Sequence, residues 1–157
     1  MRPILCVFFL ALSLGSVPVA AQGDEREVLA VVQQLFDAMR ARDTAKMRSL
    51  LHPAARLASP GVRNGTFAVT VESPDAWLGQ VGRSTGGAPD ERISGAEVKV
   101  DGALASVWAA YSFYIGERFS HCGVDAFHLV RMPEGWRIID LADTRRREGC
   151  STAPTPP

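Results

Sequence analysis

The feature that most constrains the fold is a change in the period of the hydrophobic pattern near Arg92. Before that point, apolar residues recur every three or four positions, which predicts amphipathic helices. After it, apolar and polar residues alternate, and the segments are rich in β-branched and aromatic residues, which predicts strands. Helices followed by consecutive strands indicate an α+β fold with the helices packed on one face of a curved, mainly antiparallel sheet.

Three helices are predicted in the first half of the chain. The first carries a single apolar stripe formed by Val28, Val31, Val32, Leu35, Phe36 and Met39. Asp43 is a candidate N-cap for a short second helix that Pro53 should end. Ser73-Pro74-Asp75 combines a capping side chain, a proline suited to the first turn and an acid near the positive end of the helix dipole. The second helix would bury Met47, Leu50 and Leu51, and the third Trp77, Leu78 and Val81.

The strands are bounded by turn residues. Asn64-Gly65 favours a two-residue hairpin turn between strands at 56–62 and 66–72, although Asn64-Gly65-Thr66 is also a glycosylation sequon. Pro60 marks the first of these strands as an edge or irregular strand. The stretch 83–91 contains glycine, proline and few large side chains, and is predicted to be a loop. Four further strands at 93–100, 104–119, 124–132 and 136–143 should form an antiparallel meander, with turns at 101–102, 120–123 and 133–135.

The N-terminus indicates export. Arg2 precedes a short apolar run from Ile4 to Leu14, and the small residues 19–21 suit cleavage, so residues 1–21 are predicted to be a secretory signal. The run is about half the roughly twenty residues needed to cross a bilayer, which disfavours a membrane anchor. Cys6 begins the apolar run without a lipoprotein cleavage box, so it is removed with the signal. We therefore expect a secreted or periplasmic protein with no membrane attachment after cleavage.

The length of 157 residues predicts one domain, expected at 24–150, because residues 151–157 contain three prolines and no large apolar residue. This tail should be disordered. Seventeen basic and seventeen acidic residues give no net charge, which removes any global argument for nucleic acid as a partner.

Two cysteines, Cys122 and Cys150, remain after signal cleavage, and an oxidising compartment favours a disulfide between them. Two buried free thiols are one alternative. Zinc held by His121, Cys122, His128 and Cys150 is another, but the spacing matches no compact zinc motif. We expect no metal and no cofactor.

Several segments resemble the nuclear transport factor 2-like superfamily: the long first helix ending in Ala41-Arg42-Asp43, and the final strand GWRIIDLADT at 135–144. The runs GERFSHCGVDAFHLVR at 116–131 and DTRRREGC at 143–150 look like an exported bacterial subgroup labelled SnoaL-like or "putative lumazine-binding". The resemblance implies a cystatin-like cone of sheet around three N-terminal helices. It does not select a reaction, since the superfamily includes isomerases, dehydratases, cyclases and simple binding domains.

The helices cannot fill a strongly bent sheet completely, so an apolar cavity with a few desolvated polar groups is expected. Pairing Arg131 with Trp136 places Asp125 and Asp140 on the same face as Phe127, Leu129 and Ile138. With Tyr111, these two carboxyls are the candidate proton-transfer groups, since a desolvated Asp has a raised pKa. The alternative is a structural Asp bonded to backbone donors or paired with Arg131, Arg137 or Arg145.

His121 is a further candidate, as a general base at the mouth of the cavity or as a loop residue that orients the disulfide. The expected ligand-binding side chains are Tyr111, Phe113, Phe127 and Trp77. Arg145-Arg146-Arg147 could grip an anion, but solvated or ion-paired arginines fit better. No phosphate loop, serine elbow or metal-binding helix motif occurs in the sequence.

The sequence favours an exported domain that binds a small apolar or aromatic molecule. The alternative is a cofactor-free enzyme of the isomerase, dehydratase or cyclase type that uses a pocket Asp to transfer a proton, so whether the protein is an enzyme stays open. A homodimer through the outer face of the sheet, with Trp108, Tyr114 and His128 as contacts, is compatible with both.

Overall fold

The computed structural model describes residues 19–150, so most of the predicted signal segment and the predicted disordered tail lie outside the described residues. The helices are α1 (Val19–Arg40), α2 (Thr44–Leu50) and α3 (Pro74–Arg83). The strands are β1 (Leu51–Arg63), β2 (Thr66–Glu72), β3 (Pro89–Asp101), β4 (Leu104–Ile115), β5 (Arg118–Met132) and β6 (Gly135–Asp143). Within residues 19–150, no helix has the length and apolar character to cross a membrane.

The second and third helices begin at the predicted caps, whereas α1 begins at Val19, nine residues before Val28 and within the segment predicted to be a signal. The Asp43 carboxylate accepts a hydrogen bond from the Lys46 backbone N–H (2.9 Å), and the Ser73 hydroxyl accepts one from Ala76 (3.2 Å). Each cap satisfies one of the backbone donors left free at a helix start. The second helix ends one residue earlier than expected, because Leu51 already has extended backbone and begins β1.

The sheet is mixed, with the strand order β2-β1-β6-β5-β4-β3. Strands β3 to β6 form the expected antiparallel meander, and β1 and β2 form the expected hairpin. In addition, β1 pairs in parallel with β6, which was not predicted from the sequence. This pairing covers the edge of β6 that the meander alone would leave open.

The Asn64-Gly65 turn has positive φ at both residues (51° and 78°), as a two-residue hairpin turn requires. At Pro60, β1 has only β2 as a neighbour, so this residue lies at a local edge, in agreement with the prediction of an edge or irregular strand. It is tolerated because β1 pairs with β6 only as far as Ala58, so the missing N–H of Pro60 removes no bond to β6.

Two strand boundaries differ from the prediction in ways that matter for the cavity. β3 begins at Pro89, so Glu91 belongs to a strand and not to the predicted loop. The turn between β4 and β5 is at Gly116-Glu117, with Gly116 at φ 60°, and the predicted turn at 120–123 is continuous strand. His121 and Cys122 are therefore fixed in the sheet.

The helices cover one face of the sheet, with α1 packed against β3, α2 and β6. Phe36 of α1 meets Phe127 of β5 edge to face, with ring centroids 6.0 Å apart. Register shifts interrupt the pairing of β1 with β6, β3 with β4, β4 with β5 and β5 with β6. Such bulges increase the local bend and twist of strands, as a sheet wrapped around helices requires.

Candidate functional site

A cavity of about 910 Å³ lies between the sheet, the β1–β2 hairpin, α3 and the end of α1. One part of its wall is apolar and includes Phe36, Met39, Leu57, Trp77, Phe113 and Leu141. The other part carries the polar residues Glu91, Tyr111, His121, Asp125, Asp143 and Arg145. Such a division, with broad apolar contact and a few convergent polar groups, is typical of small-molecule sites.

The sheet register brings these polar residues together. Glu91 of β3 pairs with Phe113 of β4, and Phe113 pairs with His121 of β5. Further along the same strands, Asp125 of β5 pairs with Asp143 of β6. Because residues two apart in a strand share a face, Phe113 and Tyr111 line the same side of β4 and the polar groups collect at one end of the cavity.

Asp143 is held by several neighbours. Its Oδ2 accepts from Arg145 Nε (2.6 Å) and its Oδ1 accepts from the Ser59 hydroxyl. The Tyr111 hydroxyl donates to the Thr144 backbone carbonyl (2.8 Å) and lies 3.4 Å from Asp143 Oδ2. These contacts satisfy the carboxylate and also raise the pKa of Arg145, chiefly through its hydrogen bond to Asp143.

Asp125 has the opposite environment. It is only 1% exposed, and its Oδ2 has no hydrogen-bond partner. Burial raises the pKa of Asp125 to about 7; a hydrogen bond with the neighbouring Glu91 carboxyl opposes this effect, and the charge of Asp143 adds to it. An unpaired buried carboxyl is costly unless it is protonated or meets a ligand. Asp125 can therefore exchange a proton near neutral pH.

Glu91 is the second acid of this site, and it was missed when 83–91 was predicted to be a loop. Burial and the neighbouring Asp125 carboxyl raise the pKa of Glu91 well above its usual value. The alternating pattern offered a signal, because Glu91 stands two residues before the apolar Ile93 and shares its face if the strand is extended. The two carboxyls resist losing both protons because like charges close together repel.

Tyr111 and His121 complete the polar end. Burial, together with the nearby acids Asp143 and Glu91, raises the pKa of Tyr111, so its hydroxyl stays protonated. Burial and the charge of Arg145 lower the pKa of His121, and Asp143 partly opposes them. His121 packs against Phe113 and Tyr111, at centroid distances of 4.9 and 5.7 Å, so a neutral imidazole faces the cavity.

The predicted inward position of Asp140 is wrong. A bulge pairs Leu129 with Ile138 but His128 with Asp140, which leaves Ile139 as an extra residue in β6. The bulge reverses the expected alternation, so Asp140 lies on the outer face and Asp143 enters the cavity. The Asp140 carboxylate lies 3.6 Å from Nη2 of Arg56 and 3.6 Å from Nδ1 of His128. It forms no ion pair with the arginines suggested as partners from the sequence, which were Arg131, Arg137 and Arg145. The adjacent apolar pair Ile138-Ile139 was the available sequence signal.

The expected ligand-binding residues divide into two groups. Trp77, Tyr111 and Phe113 line the cavity. Phe127 is 1% exposed in the core beneath it, where it packs on Phe36. Phe127 therefore supports the cavity wall without lining it.

A disulfide joins Cys122 and Cys150, with an Sγ–Sγ distance of 2.02 Å. It fastens the segment after β6 to β5, where Cys122 and Arg146 also exchange two backbone hydrogen bonds of 2.8 and 2.9 Å. Gly123 permits this approach, because a Cβ at that position would overlap the Thr144 carbonyl and the Tyr111 ring. The disulfide and the two backbone hydrogen bonds thus hold Asp143 and Arg145 at the end of the cavity.

The bonded sulfurs of Cys122 and Cys150 are not available as zinc ligands. Among residues 19–150, no group of three or more His, Cys, Asp or Glu side chains is placed to hold a metal ion. Two of the successive arginines at 145–147 have different roles: Arg145 pairs with Asp143, and the backbone of Arg146 makes hydrogen bonds to Cys122.

Solved structures with a similar fold include proteins described as NTF2-like. One from Novosphingobium aromaticivorans, described as having a cystatin-like fold, superposes with a TM-score of 0.68 at 14% identity, over 85% of this chain and 88% of that chain. A putative dehydratase of the NTF2-like family from Streptomyces avermitilis gives 0.63 at 17% identity, over 80% of this chain and 97% of that chain. A protein of unknown function from Shewanella baltica gives 0.63 at 14% identity, over 85% and 100%.

The family profile described as "Putative lumazine-binding" matches residues 23–141. The chain therefore belongs to that family, and its fold is NTF2-like. No significant match was found among proteins with curated functions.

Proposed function

We propose that this protein is an exported domain that binds a small, largely apolar molecule in the 910 Å³ cavity. The observation that carries the proposal is the unpaired Oδ2 of the buried Asp125, which lines an otherwise mainly apolar cavity. A buried polar atom without a partner is rare in folded proteins, and it is explained if a ligand supplies that partner. The description of the family as lumazine-binding agrees with a binding role without identifying the ligand.

The contrast with Asp90 supports a role for Asp125 beyond structure. Asp90 is also buried, but it accepts hydrogen bonds from Arg40 Nε (2.6 Å) and Arg92 Nε (2.8 Å). Burial alone would raise the pKa of Asp90, but these two arginines lower it. Asp90 is therefore a satisfied structural carboxylate, whereas Asp125 has no cation bonded to it.

A thermal-shift screen of the oxidised protein against a library of small apolar and aromatic compounds tests the proposal, because binding to the folded state raises the apparent stability. Each hit is measured again with Asp125→Asn and with Asp140→Asn. We expect Asp125→Asn to weaken binding at least about tenfold, since it changes a charge-assisted contact. Asp140→Asn is the matched control on the outer face and should bind normally. Equal affinities for all three proteins would place the ligand elsewhere.

A second candidate function is cofactor-free proton transfer, and the raised pKa of Asp125 favours it. With a pKa of about 7, Asp125 is partly ionised at neutral pH and can take a proton from a carbon next to a carbonyl group. The protonated Glu91 carboxyl beside it would donate a hydrogen bond to the developing enolate oxygen. Returning the proton from Asp125 to another carbon completes an isomerisation, and passing it to a β-hydroxyl group, which leaves as water, completes a dehydration.

Deuterium exchange tests this second function. A ketone that binds in the screen is incubated with the protein in D₂O, and loss of its α-proton signal is followed by NMR. Catalysed exchange should fall about 100-fold or more in Asp125→Asn, the range usual for loss of a general base. Exchange at the buffer rate with the unmodified protein would leave only the binding role.

We also propose that two copies associate through the outer face of the sheet. A row of residues crosses this face in register from Trp108 through Ala126, Ala142 and Ala58 to Val71. Trp108 is 57% exposed and Val71 71% exposed, so the row ends in large uncovered apolar groups. Tyr114 fits this face less well than the sequence suggested, because Arg92 lies 4.4 Å over its ring.

A further inference from the structure

We propose that the ligand is an organic cation: a protonated amine on an apolar or aromatic body, whose ammonium group is held by Glu91 and Asp125. The inference rests on the small-molecule-binding function proposed above and narrows it to one chemical class. Its geometric basis is the placement of two carboxyls at the end of an apolar cavity, one of them with an unpaired oxygen.

The charges at this end of the cavity do not balance. Three acids face it: Glu91 from β3, Asp125 from β5 and Asp143 from β6. The cation beside them is Arg145, whose Nε is bonded to Asp143 at 2.6 Å and whose side chain is 61% exposed. The remaining titratable groups there are Tyr111 and His121, and burial favours the uncharged form of both. Glu91 and Asp125 therefore lack a cation of their own.

A proton can occupy the pair when the cavity is empty, and an ammonium group can replace it. Burial raises the pKa of both Asp125 and Glu91, so each carboxyl resists ionising unless a cation at the site offsets its charge. An ammonium group supplies three N–H donors and so can satisfy the free Oδ2 of Asp125 and the Glu91 carboxyl together.

The walls fit the rest of such a molecule. Trp77, Phe113 and Phe36 line the same cavity, and aromatic faces attract cations as well as apolar groups. No three of the described His, Cys, Asp and Glu side chains lie close enough together to bind one metal ion. The two carboxyls therefore fit an organic cation better than a metal ion.

Three probes of similar size test the charge preference: 2-(1-naphthyl)ethylamine, 2-(1-naphthyl)ethanol and 3-(1-naphthyl)propanoate. Calorimetric titration at pH 7.5 should show the amine binding at least about tenfold more tightly than the alcohol, as expected for a charge-assisted contact, and the propanoate binding most weakly. Repeating the amine titration in two buffers of different ionisation enthalpy should reveal net proton release, because the ammonium displaces the shared proton.

Variants of Glu91 and Asp125 test whether these two carboxyls cause the preference for the amine. Glu91→Gln combined with Asp125→Asn should reduce the affinity for the amine at least about tenfold more than the affinity for the alcohol, whereas Asp140→Asn should change neither. An alcohol or propanoate that binds as tightly as the amine would overturn the inference while leaving small-molecule binding intact. Failure of all three probes and of the wider screen to bind would remove the proposed function itself.

Discussion

Asp125 of β5 and Asp143 of β6 are direct partners across the sheet, but their hydrogen bonding is opposite. Asp143 accepts from Ser59 and Arg145, while Oδ2 of Asp125 has no partner. One carboxylate is thus built into the structure, and its neighbour is left available to the cavity. This asymmetry, together with the Cys122–Cys150 disulfide that maintains it, determines how the protein should respond to pH and to substitution.

Asp125 should make the folded protein less stable as the pH rises. Its pKa is about 7 in the folded state and roughly 4 in an unfolded chain, so the folded state binds more protons between these values. Stability therefore falls as the pH rises through this window, by at most about 1.4 kcal/mol per unit. Urea unfolding at pH 5 and pH 8 should show a loss on the order of 2 kcal/mol that is smaller in Asp125→Asn, where the raised pKa of Glu91 still contributes.

Asp90→Asn is the control with the opposite sign. Its arginine partners lower the pKa of Asp90, so Asp90 contributes stability above pH 4 that is lost on acidification. The cost of Asp90→Asn should be the same at pH 5 and pH 8. If Asp125→Asn and the unmodified protein lost stability in parallel over this range, Asp125 would not carry the raised pKa.

The disulfide should stabilise the domain substantially. Cys122 and Cys150 are 28 residues apart, and closing a loop of this length is worth roughly 3 to 4 kcal/mol in the chain-entropy account. The double variant Cys122→Ser/Cys150→Ser should lose about this free energy of unfolding in urea titration. Adding reductant should destabilise the unmodified protein equally and leave the double variant unchanged. A loss below about 1 kcal/mol would show that the disulfide has little effect on stability.

Gly123 is expected to be intolerant of any side chain. A Cβ there would overlap the Thr144 carbonyl and the Tyr111 ring, so Gly123→Ala should cost roughly 1 to 3 kcal/mol by forcing the segment after β6 away from β5. Gly61→Ala is the matched strand control, since nothing lies within 4 Å of its Cβ position. Denaturation midpoints compare the two. A Gly123→Ala protein as stable as Gly61→Ala would contradict the close packing at this point.

The outer-face association should depend on Trp108. Sedimentation velocity over a range of concentrations should show a dimer in equilibrium with the monomer, because Trp108 is 57% exposed at the end of the apolar row. Trp108→Glu should shift the protein to monomer, while Phe119→Glu, at a side chain 37% exposed and outside that row, should leave the dimer intact. A monomer at every concentration would remove this proposal.

The helices and strands could be predicted from the sequence, but the face of the sheet on which each strand residue lies could not always be predicted. The helix stripe, the caps at Asp43 and Ser73 and the Asn64-Gly65 turn are local signals, and each was predicted from neighbouring residues. The orientations of Asp140 and Asp143 depend on a bulge opposite His128 and Leu129, and a one-residue offset reverses every later side chain. Glu91 was missed because Gly86, Gly87 and Pro89 resemble a loop, although β3 starts at Pro89.

The measurement that tests the central claim most directly is a pH titration of the Asp125 side-chain carboxyl by carbon NMR, with Asp125→Asn used to assign the signal. We expect an apparent pKa near 7 for a signal that is missing from the spectrum of the variant, and we expect this pKa to shift when an amine probe occupies the cavity. A carboxyl that titrates near 4, as an exposed aspartate does, would contradict a desolvated and unpaired Asp125 and with it the proposed site.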